Sequence, residues 1–236
     1  MKQDIKPVFL LAGGRHSRRE KPDSLLEAVF REYGIKNPAV AYSGTASGDD
    51  RGFFGFIARE ITSAGADKVV HAVIASPGAD LKKAKSVLES ADIVFISGGD
   101  VEAGMEVLRE KNMLDFMTGL YRQGKPFFGI SAGAIMLADR WVRWRDPDDD
   151  TSAELFPCLG FAPVICDTHD EQGGWEELQA ALKLEKEGVK GYGLASGSAI
   201  KVTSDGKVAV VGGTVQVFIR KRDKVARIND ITSPDK

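Results

Sequence analysis

Residues 125–139, KPFFGISAGAIMLAD, decide how the rest of the chain is read. Phe127 and Phe128 read as a short buried strand. That strand runs directly into Gly129-Ile130-Ser131-Ala132-Gly133, and Ala134-Ile135-Met136-Leu137-Ala138 reads as a helix. A strand, a tight turn and a helix with G-x-S-x-G at the turn make the layout of a nucleophile elbow. Small residues are needed on both sides of the serine, because the turn is sharp and a bulky neighbour would meet the helix or cover the hydroxyl. The same layout aims the N–H of Ala132, at the start of the helix, toward an oxyanion forming beside Ser131. Glycine-rich turns after parallel strands also serve plain packing or phosphate binding, so the pentapeptide alone leaves both readings open.

The composition suits one α/β domain over residues 1–236, with 43% hydrophobic residues to fill a core. A formal net charge of -2 argues against a nucleic-acid partner or a membrane surface. Two cysteines, Cys158 and Cys166, offer neither a disulfide framework nor metal-ligand spacing and read as packing residues. The apolar run in MKQDIKPVFLLAGG is too short for a signal peptide, and no stretch reaches transmembrane length. A reducing cytoplasm is the expected setting.

Strands and helices alternate along the first half. Residues 7–12 (PVFLLA) read as a strand stopped by Gly13-Gly14, and a basic loop with His16 follows. Residues 24–33 have helical spacing, with a cap at Asp23 or Ser24 and a stop at Gly34. Residues 38–42, 68–75 and 92–97 read as further strands, the last ending in Gly98-Gly99-Asp100. Helices are expected over 53–63 and 80–90, and over 101–121 with a break near Asn112. Units of this length mean βαβ crossovers and a doubly wound, mostly parallel sheet with helices on both faces. The glycine-marked strand ends at 13–14, 98–99 and 129–133 then converge on one crevice at the carboxyl edge.

After the elbow helix, residues 141–150 (WVRWRDPDDD) read as a polar, aromatic loop rimming the site. Residues 161–166 read as a strand leading into Asp167-Thr168-His169, and 175–187 as a helix. The tail carries short strands at 193–195, 199–202, 208–211, 214–219 and 224–227, with a hairpin turn at 204–207, which fits antiparallel pairing near the C-terminus.

A serine hydroxyl needs a base. His71 lies inside a strand and reads as structural, and His16 sits in a loop where it is a candidate substrate contact. His169 follows a strand at what is expected to be the same sheet edge as the elbow, within reach of Ser131, and is the favoured base. For the acid that would orient it, Asp146 leads and Asp167 is the alternative. Gly99 is the candidate second oxyanion donor beside Ala132, because glycine lets the backbone approach a ligand closely. Gly98 and Asp100 are candidate substrate contacts.

These motifs together resemble the serine peptidase family of dipeptidase E (aspartyl dipeptidase) and cyanophycinase. The resemblance runs over nearly the whole chain: Gly13-Gly14, residues 43–47 (SGTAS), residues 91–100 (ADIVFISGGD), residues 129–134 (GISAGA) and Asp167-Thr168-His169. It implies a class I glutamine amidotransferase-like, flavodoxin-like fold. It also implies a Ser131 nucleophile, a His169 base, an oxyanion hole from Gly99 and Ala132, and Asp146 at the family's acidic position. No metal or organic cofactor is implied; the implied partner is a small peptide or amide substrate, and a homodimer stays open. Members often carry arginines after the histidine, where this chain reads Asp170-Glu171-Gln172-Gly173-Gly174-Trp175. An α/β-hydrolase esterase shares the elbow, but its histidine follows the last strand and an HGGG-type loop is absent here. A binding protein that has lost catalysis is the rival of a different class.

Overall fold

The computed structural model describes residues 5–13 and 23–233, so Gly14 and His16 lie outside the described residues. In chain order the strands and helices are β1 (Val8–Leu11), α1 (Ser24–Tyr33), β2 (Ala39–Ser43), α2 (Arg51–Ser63), β3 (Lys68–Ala72), α3 (Leu81–Ser90) and β4 (Ile93–Ile96). Next come α4 (Val101–Glu110), α5 (Leu114–Arg122), β5 (Phe127–Ile130), α6 (Ala132–Leu137), β6 (Arg140–Trp144), β7 (Ala153–Pro157) and β8 (Ile165–Thr168). The last are α7 (Glu176–Lys183), β9 (Lys190–Leu194), β10 (Ala199–Val202), β11 (Val208–Gly212), β12 (Thr214–Lys221) and β13 (Lys224–Thr232). A 3-10 turn, Thr45–Ser47, follows β2.

The central sheet has seven strands in the order β11-β10-β1-β5-β4-β2-β3. From β1 to β3 every pair is parallel, while β10 and β11 join antiparallel at the other edge. Alternation along the strands gives each face its own core. Val8, Leu10, Val94, Ile96 and Phe127 pack with residues of α3 to α6, whereas Phe9, Leu11, Phe95 and Phe128 pack with α1 and α2. Phe95 and Phe128 are fully buried with ring centroids 4.9 Å apart. Each such ring stabilises the fold by roughly 1.5–3 kcal/mol of transfer free energy.

Local signals in the sequence act as expected in α1. The Asp23 carboxylate accepts the N–H of Leu25 at 2.9 Å, and Gly34 ends the helix at φ 69 in the left-handed region. The helix pattern over 101–121 breaks at Asn112, φ 53, into α4 and α5.

Two expectations are corrected. Residues 141–150 are not all loop: β6 pairs antiparallel with β7, Trp141 opposite Phe156 and Val142 opposite Leu155. The charges that suggested a loop sit on the hairpin as ion pairs of Arg143 with Glu102 and Glu154, and of Arg145 with Glu154. The second correction concerns the histidine-bearing strand. β8 belongs not to the central sheet but to a separate four-stranded one, β13-β12-β9-β8. β8, α7 and β9 form their own parallel unit, closed by Trp175, Leu178 and Leu182 against Ile165 and Phe218. Residues 195–198 then fasten the two sheets together: Gly197 N–H donates to Gly13 O at 2.6 Å and Ala12 N–H to Ser198 O at 3.0 Å. This junction brings the end of β8 to the ends of β1 and β5.

Candidate active site

Ser131 occupies the turn between β5 and α6 with φ 56 and ψ -127, outside the ordinary regions for a residue with a side chain. Its N–H donates to Leu11 O at 2.9 Å, and its carbonyl accepts the N–H of Ala134 at 2.8 Å. The flanking glycines are required by close backbone approach. A Cβ on Gly129 would lie 2.4 Å from Gly133 O, and one on Gly133 would lie 2.1 Å from Ile96 O. The strand and the helix therefore touch backbone to backbone, and the serine is lifted out of the turn.

His169 follows β8 directly. Its N–H donates to Leu194 O at 2.8 Å, and it too has positive φ, 45. Its Nε2 lies 2.7 Å from Ser131 Oγ. The two side chains thus meet from different sheets, each on a strained residue at the end of a strand.

Neither carboxylate expected beside the histidine hydrogen-bonds it. Asp146 lies exposed at the tip of the β6–β7 hairpin, where its carboxylate accepts the N–H of Asp148 at 3.1 Å. The hairpin of β6 and β7 carries that turn out into solvent. Asp167 is buried in β8, on the side of Ile165 that faces α7; its Oδ1 accepts the N–H of Thr168, and its Oδ2 meets no hydrogen-bond partner by distance and angle among the described residues. Burial pushes the Asp167 carboxyl up to about 7, and the nearby Glu177 and Asp170 carboxylates add to the rise. Glu177 is itself raised, by burial first, although it accepts the Trp141 indole N–H at 2.6 Å.

Gly98 lies against the serine: a Cβ there would be 3.2 Å from Ser131 Cβ. Gly99 has φ 141 and packs on the 3-10 turn, with a Cβ position 2.0 Å from Ala46 O. Among the described residues, no backbone acceptor takes the N–H of Gly99 or of Ala132. Asp100 is exposed and caps α4, accepting the N–H of Ala103 at 2.8 Å.

Sequence reasoning missed a buried carboxylate at the adjoining corner. Asp49 accepts the N–H groups of Ile74, Ala75 and Ser76 at 2.8, 2.6 and 3.0 Å, and its Oδ1 lies 3.2 Å from His71 Nε2. Burial opposes the charge, but the hydrogen bonds from His71 and the three amides outweigh it and hold the carboxyl below its ordinary value. His71 is thereby occupied in structure, stacked on Phe54 at 4.5 Å. The signal in the sequence, a doubled aspartate in a polar loop, does not separate this role from that of a solvated turn.

Among the described residues, no group of three His, Cys, Asp or Glu side chains is placed to hold a metal ion. Burial pushes the Cys158 thiol up to about 12 and raises Cys166 strongly, so neither is a nucleophile near neutral pH. No helix among the described residues is long and apolar enough to cross a membrane.

The model of peptidase family S51 matches residues 8–210, which include every residue of this site. The chain belongs to peptidase family S51. Within the family it is 30% identical over 129 residues to peptidase E of Haemophilus influenzae strain Rd, a match covering 51% of this chain and 59% of that protein. It is 27% identical over 148 residues to peptidase E of Streptomyces coelicolor, covering 59% and 60% of the two chains. The matches to these relatives thus span about three-fifths of their length. An uncharacterized peptidase of Bacillus subtilis, YgaJ, is 21% identical over 85% of both chains. Among solved structures, a peptidase from an acI-B1 Actinobacterium shares the fold at a TM-score of 0.68 with 18% identity, over 98% of each chain. A putative peptidase E of Listeria monocytogenes EGD-e follows at 0.59 with 14% identity, over 87% and 97%.

Proposed function

We propose that this chain is a serine peptidase that cleaves a short peptide or amide bond through an acyl-enzyme on Ser131. The observation that carries the reading is the 2.7 Å separation of Ser131 Oγ and His169 Nε2, on a family S51 chain. In the reactive state the serine O–H donates to an unprotonated Nε2, and the imidazole proton resides on Nδ1. As Oγ bonds to the substrate carbonyl carbon, its proton passes to Nε2 and the carbonyl electron pair moves onto oxygen. The N–H groups of Gly99 and Ala132, which meet no backbone acceptor among the described residues, stabilise that oxyanion. Collapse expels the amine, which takes the proton from His169, and a water activated by the same imidazole releases the acid.

The pair acts in this reading without a hydrogen-bonded carboxylate from Asp146 or Asp167. Residues 170–175 supply no arginine for a substrate carboxylate, so the proposal extends to dipeptides and isopeptides without an acidic preference. The test is a library of dipeptides and isopeptides incubated with wild type and Ser131→Ala. Release of amine by the wild type alone supports the peptidase. Turnover retained by Ser131→Ala would refute the acyl-enzyme on Ser131, and turnover absent from the wild type across the library would favour a binding protein on the same fold.

A further inference from the structure

We propose that Tyr42 and Ser97 are positioning residues that hold the peptide between Gly98 and Gly99 in the one orientation that presents the Gly99 N–H to Ser131. The inference rests on the peptidase reading for its consequence, but its structural basis lies outside the Ser131–His169 pair. Tyr42 is fully buried in β2, its ring packed edgewise against Phe54 and His71 and tilted against Phe95, with centroids 5.1, 5.1 and 5.5 Å away. Its Oη lies 2.7 Å from the Oγ of Ser97, which is also fully buried. Ser97 Oγ in turn donates to Gly98 O at 3.2 Å. A serine hydroxyl has one proton, so Tyr42 must be the donor in the first bond: Tyr42 to Ser97 to Gly98.

The last acceptor gives the relay its meaning. Gly98 C=O and Gly99 N–H belong to one peptide unit, and in a trans peptide they point in opposite directions. Anchoring the oxygen on the buried side therefore turns the N–H to the other side. Two adjacent glycines are the sequence most able to flip this unit, since neither has a Cβ to oppose rotation. A flipped peptide would present a carbonyl oxygen where the developing charge needs a donor. Units on either side are held independently: Asp100 N–H, in the 99–100 peptide, donates to Ala46 O at 2.8 Å, and Ser97 N–H, in the 96–97 peptide, to Ser43 O at 3.0 Å. The hydroxyl relay is thus the restraint specific to the 98–99 peptide. Burial raises the Tyr42 pKa, which keeps the donor proton in place throughout the neutral range.

Two measurements on Tyr42→Phe and Ser97→Ala test this. The first is the concentration dependence of labelling by a fluorophosphonate. The maximal labelling rate should fall about tenfold, part of the loss on removing an oxyanion donor outright, while the half-saturating concentration stays within about twofold. The double variant should be no slower than the slower single one, because the two hydroxyls act as a unit. The second is the amide resonance of Gly99 in uninhibited protein, which should shift or broaden in both variants. Folded variants that label at the wild-type rate overturn the inference. Should the wild type fail to label, the peptidase reading falls, and the amide resonance then decides alone: an unchanged Gly99 signal in the variants overturns the relay as well. Should Tyr42→Phe not fold, Ser97→Ala, which deletes a single buried oxygen, carries both readouts.

Discussion

The raised carboxyl of Asp167 makes stability depend on pH in a direction opposite to that of a hydrogen-bonded, charged aspartate such as Asp49. In the folded protein it titrates near 7, against about 3.9 for an ordinary aspartate. Between those values the folded state binds more protons than the unfolded one, so stability falls as pH rises. The contribution is fully present below about pH 4 and lost as pH passes through about 7. A shift of about three units at 1.4 kcal/mol each gives at most about 4 kcal/mol across the window. Asp167→Asn removes the titration while keeping an oxygen for the N–H of Thr168. Any cost of burying the amide is independent of pH and cancels in the comparison. Urea unfolding of wild type and variant at pH 4, 6 and 8 measures the difference directly. The variant should gain on the wild type by a few kcal/mol from pH 4 to pH 8, with the steepest change at about 5 to 6, midway between the two titrations. A difference that is flat with pH, or that runs the other way, would refute the assignment of a buried carboxyl raised by desolvation and repelled by Glu177 and Asp170.

Asp49→Ala should destabilise the fold by about 3 kcal/mol or more, because three amides and His71 lose one acceptor. The Asp49 carboxyl is held below its ordinary value, so its contribution is present above about pH 4 and lost as pH falls through the folded value; the gap to wild type in urea unfolding should therefore narrow in acid. Gly133→Ala should cost at least about 2 kcal/mol, since its Cβ would meet the backbone oxygen of Ile96 at 2.1 Å and neither partner can swing aside. Chemical denaturation of a purified variant, or its failure to accumulate in folded form, reads this out. Asp146→Asn should label with fluorophosphonate within about twofold of wild type, because its carboxylate serves only the exposed hairpin turn; a loss of tenfold or more would return it to the acid position beside His169.

What the sequence reveals and what it hides divide along the range of the interactions. The caps of α1, the glycine stops after β1 and β4, and the turn around Ser131 are written within a few residues of where they act. Continuous apolar runs likewise mark β1, β2, β4 and β5, and the crevice at their carboxyl ends follows from the βαβ order. Sheet membership of β8 is different, because pairing with β9 rather than with a central strand depends on α7 packing under Trp175 and Leu182. The hairpin of β6 and β7 is obscured by arginines whose partners are Glu154, across the hairpin on β7, and Glu102, on α4. Tyr42 and Ser97 stand 55 residues apart, and Asp49 reaches its amide donors 25 to 27 residues away. Nothing local in the pattern announces either contact. Ser131 and His169 are named from sequence by motif, while the carboxylate expected at the histidine depends on where a hairpin tip and a buried strand residue point.

The central claim is that His169 activates Ser131 as a nucleophile. Its most direct test is to treat the protein with a fluorophosphonate and map the adduct by peptide mass spectrometry in wild type, His169→Ala and Ser131→Ala. A single adduct on Ser131 in the wild type, slowed at least a hundredfold in folded His169→Ala and missing in Ser131→Ala, is the predicted result. An adduct that forms at the same rate without His169, or no adduct on Ser131 at all, would contradict it.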